Sequence, residues 1–267
     1  KLSRMGFPME RLEALYLTHL HSDHIDGLGE LLLQAWIAGQ RSAPLPVYGP
    51  EGAQRVVDAF NDAYAIDRGY RIAHHGTDVA NPDGFGGAAN EILMPDGPTK
   101  PIVVLEDGDL KISAIKVDHA PVAPAFGFRI DYKDRSIALS GDTVYHPGFV
   151  AAAKGVDVMF HEALDPEMVS RIGETLAERG QASTAKIMTD ILDYHTTPED
   201  AARAADAAGV SQLVLYHIVP PLPTSALNTM FLGTADENFA GQITVGEDGL
   251  MITLPAGSDI IRHSQTF

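Results

Sequence analysis

His19-Leu20-His21-Ser22-Asp23-His24 places four groups able to hold a metal ion within six residues. The stretch follows an apolar run, Leu12 to Leu17, that reads as a buried strand. It precedes Gly27-Leu28-Gly29-Glu30-Leu31-Leu32-Leu33, which reads as a helix start. Side chains of an extended segment alternate with period two, so His19, His21 and Asp23 are expected on one side. His24 then enters the same pocket from the turn into the helix. Imidazoles and a carboxylate suit zinc or a similar divalent ion. The bland alternative is a polar strand-to-helix loop with chance histidines.

Elements alternate outward from this stretch, with no repeat and no long linker. Leu28 to Ile37 reads as a helix, Pro46-Val47-Tyr48 as a short strand, and Gly49-Pro50-Glu51-Gly52 as the opening of a helix to about Ala63. Residues 76–100 are rich in Gly and Pro and read as a loop or flap. Ile102 to Leu105, Leu110 to Val117, Phe126 to Tyr132 and Ser136 to Leu139 read as strands, with Asp107-Gly108 and Lys133-Asp134 as hairpin turns. Val156 to Phe160 and Leu213 to Tyr216 follow as apolar strands. Thr197, Pro198 and Glu199-Asp200 form an N-terminal helix signal, and Gly209 ends the Ala-rich segment Ala201 to Ala208. The expected class is a layered α/β protein, a single domain over residues 1–267.

Composition narrows the function classes. The 267 residues are 45% hydrophobic, enough for a substantial core. The formal net charge of −17 and the scattering of Arg55, Arg68 and Arg71 among acids disfavour a nucleic-acid partner. No membrane span and no secretion signal are expected from the hydropathy, and the compartment stays open. With no cysteine, disulfides, thiolate ligands and cysteine nucleophiles are excluded.

Further polar groups stand at the expected ends of apolar strands, where α/β sheets place their sites. His119 closes the strand before Ala120-Pro121. Asp142 lies in Ser140-Gly141-Asp142-Thr143, His161-Glu162-Ala163 follows Phe160, and His217 follows Tyr216. His195 sits just before the well-capped helix. One such residue would be unremarkable; several at equivalent places point to a site.

His19-x-His21-x-Asp23-His24, then His119, Asp142 in Gly-Asp-Thr, and His217 resemble the metallo-β-lactamase fold superfamily. His161-Glu162-Ala163, His195-Thr196-Thr197, Pro46 to Gly52 and Phe126-Gly127-Phe128-Arg129 resemble its ribonuclease Z and arylsulfatase-like branch. The resemblance implies a four-layer αβ/βα sandwich of two mixed sheets flanked by helices. It also implies two divalent metal ions, with zinc expected ahead of manganese or iron. His19, His21 and His119 would hold one ion, Asp23, His24 and His217 the other, and Asp142 would bridge them. A hydroxide shared by the ions would be the nucleophile. Asp23, His195 and Glu162 make the implied catalytic set, with His195 serving the leaving oxygen and Glu162 orienting it.

Two departures stand beside these matches, and the first, with the charge, bears on the substrate. The tRNA-processing members carry a long arm between the segment matching Phe126 to Ile130 and Gly-Asp-Thr, where this chain has only Asp131 to Leu139. Relatives also carry a strand pair upstream of the first helix that this chain starts too late to show. The expectation is therefore hydrolysis of a small phosphodiester or aryl sulfate ester. The alternatives are a ribonuclease Z-like RNA phosphodiesterase and a lactonase or β-lactamase-type hydrolase.

Weaker candidates complete the reading. His74-His75, Tyr145 and His146 could face the pocket, Trp36 suits core packing, and His263 lies in a polar tail. Pro220 to Pro223, with Phe231 and Leu232, could form a pocket rim or a subunit contact in a homodimer.

Overall fold

Leu45–Gly49 alternates buried and half-buried residues, as a strand with one covered face must, and it centres a three-stranded parallel sheet. The computed structural model describes residues 4–95, 97 and 100–267. They fall into two compact units. One runs to Leu93 and includes Phe267; the other is Met94–Thr266.

In the first unit β1 (Leu15–Tyr16), β2 (Leu45–Gly49) and β3 (Gly87–Glu91) lie in that order, both pairs parallel. Parallel neighbours need a crossover, usually helical. Helix Leu28–Gly39 supplies the first, and helices Ala53–Ala63 and Ala65–His75 lie within the second. Leu28, Leu32 and Ala35 of the first helix pack with Leu17, Leu45, Val47 and Val57. Trp36 is fully buried, as expected, and its Nε1–H donates to Asn81 O at 2.6 Å.

Two expectations change here. The run Leu12 to Leu17 yields only a two-residue strand, although Leu17 N–H still donates to Tyr48 O at 2.8 Å. The segment from residue 76 is no bare loop, since it holds a 3-10 turn at Pro82–Gly84 and β3; residues 96, 98 and 99 lie outside the described ones. A Cβ on Gly87 would stand 3.1 Å from both Leu32 and Val57 side-chain carbons. Small residues bring this strand close to the helices, a reason that apolar periodicity does not register.

The second unit is built on seven strands: β4 (Ile102–Asp107), β5 (Leu110–His119), β6 (Val122–Tyr132), β7 (Arg135–Leu139), β8 (Val158–Leu164), β9 (Gln212–Val219) and β10 (Gln242–Val245). They lie side by side in the order β10-β9-β8-β7-β6-β5-β4. β4 to β7 form an antiparallel meander, and β7 to β10 pair in parallel. The large sheet is thus mixed and flanked by helices, while the smaller sheet is parallel throughout. β6 passes to β7 through the two-residue turn Lys133-Asp134, with Lys133 at φ 56°. The first hairpin turns on Gly108-Asp109, one residue later than expected.

Helix Pro198–Ala208 shows how sequence sets packing. Thr197 Oγ1 accepts from Asp200 N–H at 3.1 Å, and Gly209 ends the helix at φ 64°. Ala201, Ala202, Ala204, Ala205 and Ala208 are buried in one core with Phe149, Met159, Leu213 and Leu215. Phe231 belongs to the same core, so it is neither rim nor contact. Beyond β10 a short antiparallel pair, β11 (Leu250–Thr253) and β12 (Arg262–Gln265), carries His263, whose Nε2 makes a hydrogen bond with the Gln212 side-chain amide. Among the described residues no helix is long and apolar enough to cross a membrane.

Candidate metal centre

In the first unit His19 is fully buried beyond β1, and its Nε2 lies 3.1 Å from His21 Nδ1. The imidazole of His24 stacks obliquely on His19 with centroids 4.0 Å apart. His21 stands just before a short helix, Ser22–Ile25, that carries both Asp23 and His24. Asp23 therefore rides a helical turn instead of an extended segment. Its Oδ2 stands 3.4 Å from His24 Nε2, and its side chain is 62% exposed. Glycines at 27 and 29 follow at once. A Cβ on Gly29 would stand 2.5 Å from the Tyr64 ring, so this helix start needs glycine there.

The second unit assembles its own group. His119 ends β5, is buried, and donates from Nδ1 to Tyr194 O at 3.0 Å. A carbonyl only accepts, so the proton is on Nδ1 and the Nε2 lone pair is turned toward Asp142, whose Oδ2 is 4.0 Å away. Asp142 follows β7 after Gly141, which sits at φ 64° and donates its N–H to Tyr216 Oη at 2.9 Å. His217 brings its Nε2 to 3.5 Å from Asp142 Oδ2. Asp142, His195 and His217 each offer one ligand atom, all within 4.8 Å of one another.

The sequence puts His161, Glu162 and His217 just beyond their strands, but β8 and β9 run on through them. The strands continue because the polar residues find partners inside the sheet. Glu162, fully buried, accepts on Oε1 from His195 Nδ1 at 2.9 Å and from the N–H groups of Thr143 and Thr196, each at 3.1 Å. Burial pushes the Glu162 carboxyl up, and the nearby Asp142 charge adds to that; the Thr143 and Thr196 donors pull it back. Thr196 Oγ1 donates to Thr143 O, tying the two threonine segments together. Tyr194 is a residue that sequence reasoning misses, because no local motif marks it. It flanks this group with its ring centroid 4.8 Å from His119 and 4.9 Å from His195. Thr143 and Thr196, by contrast, stand inside motifs already read.

His146 does not serve as a ligand in either group. Its Nδ1 accepts from Phe149 N–H at 3.1 Å and so caps the helix Pro147–Ala152. His74 and His75 are exposed at the end of their helix, and Tyr145 is exposed as well.

The expected ligands are therefore gathered in two groups, one per unit. Imidazole nitrogens and carboxylate oxygens gathered this closely suit a divalent, oxygen- and nitrogen-seeking ion.

Comparison with known proteins agrees. The family described as "Beta-lactamase superfamily domain" matches residues 4–218. Ribonuclease Z of Mycolicibacterium paratuberculosis is 36% identical over 239 residues, covering 89% of this chain and 78% of that protein. Ribonuclease Z of Mycobacterium avium is 35% identical over 250 residues, covering 93% and 81%. Among solved structures, the short form of human tRNase Z superposes with a TM-score of 0.64 at 20% identity, over 95% of this chain and 83% of that one. The metallo-beta-lactamase fold protein YhfI of Bacillus subtilis superposes at 0.58 and 20% identity, over 97% and 81%. At those identities the two structures speak for the fold. The chain belongs to the metallo-β-lactamase fold superfamily, among relatives of ribonuclease Z, and is a metal-dependent hydrolase.

Proposed function

We propose that the chain is a dinuclear metal-dependent phosphodiesterase that cleaves RNA in the manner of its ribonuclease Z relatives. The observation that carries this reading is the 36% identity to a ribonuclease Z over 239 residues, together with the intact His195–Glu162 pair at 2.9 Å. Those relatives run against the expectation, from charge and the missing arm, that a nucleic-acid partner is unlikely. A charge of −17 sums the whole surface, whereas binding depends on the few groups at the mouth of a site.

On this reading residues 1–267 act as one domain. As the resemblance implies, His19, His21 and His119 would hold one ion and Asp23, His24 and His217 the other, with Asp142 common to both. Bound divalent ions supply Lewis acidity and an activated water at neutral pH. The chain's own residues do the rest. Glu162 fixes the proton of His195 on Nδ1 and thereby sets which nitrogen meets the leaving oxygen. Thr143 and Thr196 hold the carboxylate still while it does so. Asp23, the most exposed of the set, would be both a ligand and a contact to the attacking side.

One observation favours a second reading. The two-residue Lys133-Asp134 turn occupies the place where tRNA-processing members extend an arm, and it leaves no arm with which to grip tRNA. A small phosphodiester or aryl sulfate would need none.

Metal-loaded protein assayed on a tRNA precursor with a 3′ trailer, beside bis(p-nitrophenyl) phosphate and p-nitrophenyl sulfate, separates the two. Chelator-sensitive removal of the trailer supports the RNA reading. An intact precursor alongside rapid hydrolysis of a small ester overturns it.

A further inference from the structure

His161 is a fully buried histidine that the chemistry above does not use. It lies on β8 one residue before Glu162, so strand alternation sends its side chain to the face opposite the site. There its ring meets Phe149 edge-on, with centroids 5.5 Å apart. Instead of reaching a distant partner, its Nδ1 turns back and donates to the carbonyl oxygen of Glu162 at 2.8 Å. The carbonyl can only accept, so this contact fixes the tautomer.

That carbonyl stands at a break in the sheet. Along β8 and β9, His161 pairs with Leu215 and Glu162 with Tyr216, but Ala163 pairs with Ile218. One step on β8 thus spans two on β9, and His217 is the extra residue of a bulge. Its φ is 47°, in the left-handed region that non-glycine residues seldom adopt. Bulges beside active sites re-aim a side chain, and here the side chain is the one that brings Nε2 to 3.5 Å from Asp142. A residue held at such a φ persists only where its surroundings enforce it.

We propose that His161 is a positioning residue: by donating to the Glu162 carbonyl at the β8–β9 bulge, it holds His217 in its left-handed, ligand-presenting conformation. The same contact steadies Glu162, whose other end orients His195. His161 touches neither metal nor substrate and acts only through these two residues. The inference rests on the reading of His217 as a metal ligand.

Substitution separates this role from packing. A His161→Asn variant would keep an N–H donor at the place of Nδ1, His161→Leu would keep bulk without a donor, and His161→Gln would move the donor to the place of Nε2. Zinc binding to each full-length variant is measured by titration, with circular dichroism to confirm folding. The expected result is a roughly 10–100-fold loss of zinc affinity at one of two sites in His161→Leu and His161→Gln, and recovery in His161→Asn. In a His217→Ala background, His161→Leu should cost no further affinity. If His161→Leu does not fold, the His161→Asn and His161→Gln variants decide alone. Wild-type affinity in His161→Leu or His161→Gln, or equal loss in His161→Asn and His161→Gln, overturns the proposal. A wild-type chain that binds no zinc overturns the ligand reading instead, and the proposal with it.

Discussion

Glu162 Oε1 lies 2.9 Å from His195 Nδ1 and takes two more hydrogen bonds, from the backbone N–H groups of Thr143 and Thr196. Three donors from two segments of the chain thus converge on one oxygen. His195 owes its orientation to a buried carboxylate that is itself held by the backbone. His195→Ala should lower kcat by about 10²–10⁴-fold, the range of a lost general acid. The loss should be larger for a poor leaving group than for p-nitrophenolate, which departs without a proton. Steady-state rates on two phosphodiesters differing only in leaving group test this, and equal losses on both would remove the acid role.

Asp142 offers a second test because its carboxylate faces two histidines. Oδ2 stands 3.5 Å from His217 Nε2 and 4.0 Å from His119 Nε2. Asp142→Ala should reduce bound divalent metal per chain and cut turnover beyond the roughly 10–100-fold typical of losing an outer hydrogen-bond partner. Metal analysis of the purified variant, run beside a chelator-treated wild type, checks it. Full metal content with full activity would take Asp142 out of the centre.

Much of this centre is legible in the sequence because its signals are local. His19 to His24 declare themselves within six residues, and Gly-Asp-Thr, His-Glu-Ala and His-Thr-Thr each stand beside an apolar strand. Thr197 and Gly209 bound their helix for the same reason. What stays hidden depends on a neighbour. The bulge at His217 exists only in the register between β8 and β9, and no property of β9 alone reports it. β3 is a strand because Gly87 lets it approach Leu32 and Val57, not because it is apolar. Asp23 sits on a helical turn rather than an extended segment, and a one-turn helix is too short to impose its period on the sequence.

His161 also predicts a pH dependence of stability. Burial pushes its pKa down from 6.5 to about 4, partly offset by its bond to the Glu162 carbonyl. A histidine with a lower pKa folded than unfolded must shed its proton to fold once the medium is more acid than 6.5. Its neutral burial therefore costs nothing extra above pH 6.5, costs progressively more as pH falls toward 4, and levels off below that. The full difference is about 3 kcal/mol. Glu162, whose pKa is raised, acts oppositely, since its burial weighs on stability as pH rises above the ordinary carboxylate range. Urea midpoints measured between pH 7 and pH 4.5 should fall less steeply for His161→Asn than for wild type. Parallel curves would show that His161 does not set the acid limb.

Gly127 gives a prediction whose first part, stability, needs no metal. It lies in β6 within Phe126-Gly127-Phe128, where a Cβ would stand 2.7 Å from Leu139 O and 2.8 Å from Ser140 O. Both obstacles are backbone oxygens of the chain leading from β7 into Asp142, so neither can swing aside as a side chain could. Gly127→Ala must therefore move a strand end or leave the clash in place. Overpacking of this kind typically costs 1–3 kcal/mol, so a loss of about 2 kcal/mol is expected. The shift would also displace Asp142, and weaker metal binding should accompany the lower stability. Denaturant midpoints of the metal-free proteins isolate the first effect, and zinc titration the second. An unchanged midpoint would mean that β6 yields more easily than its pairing with β5 and β7 implies.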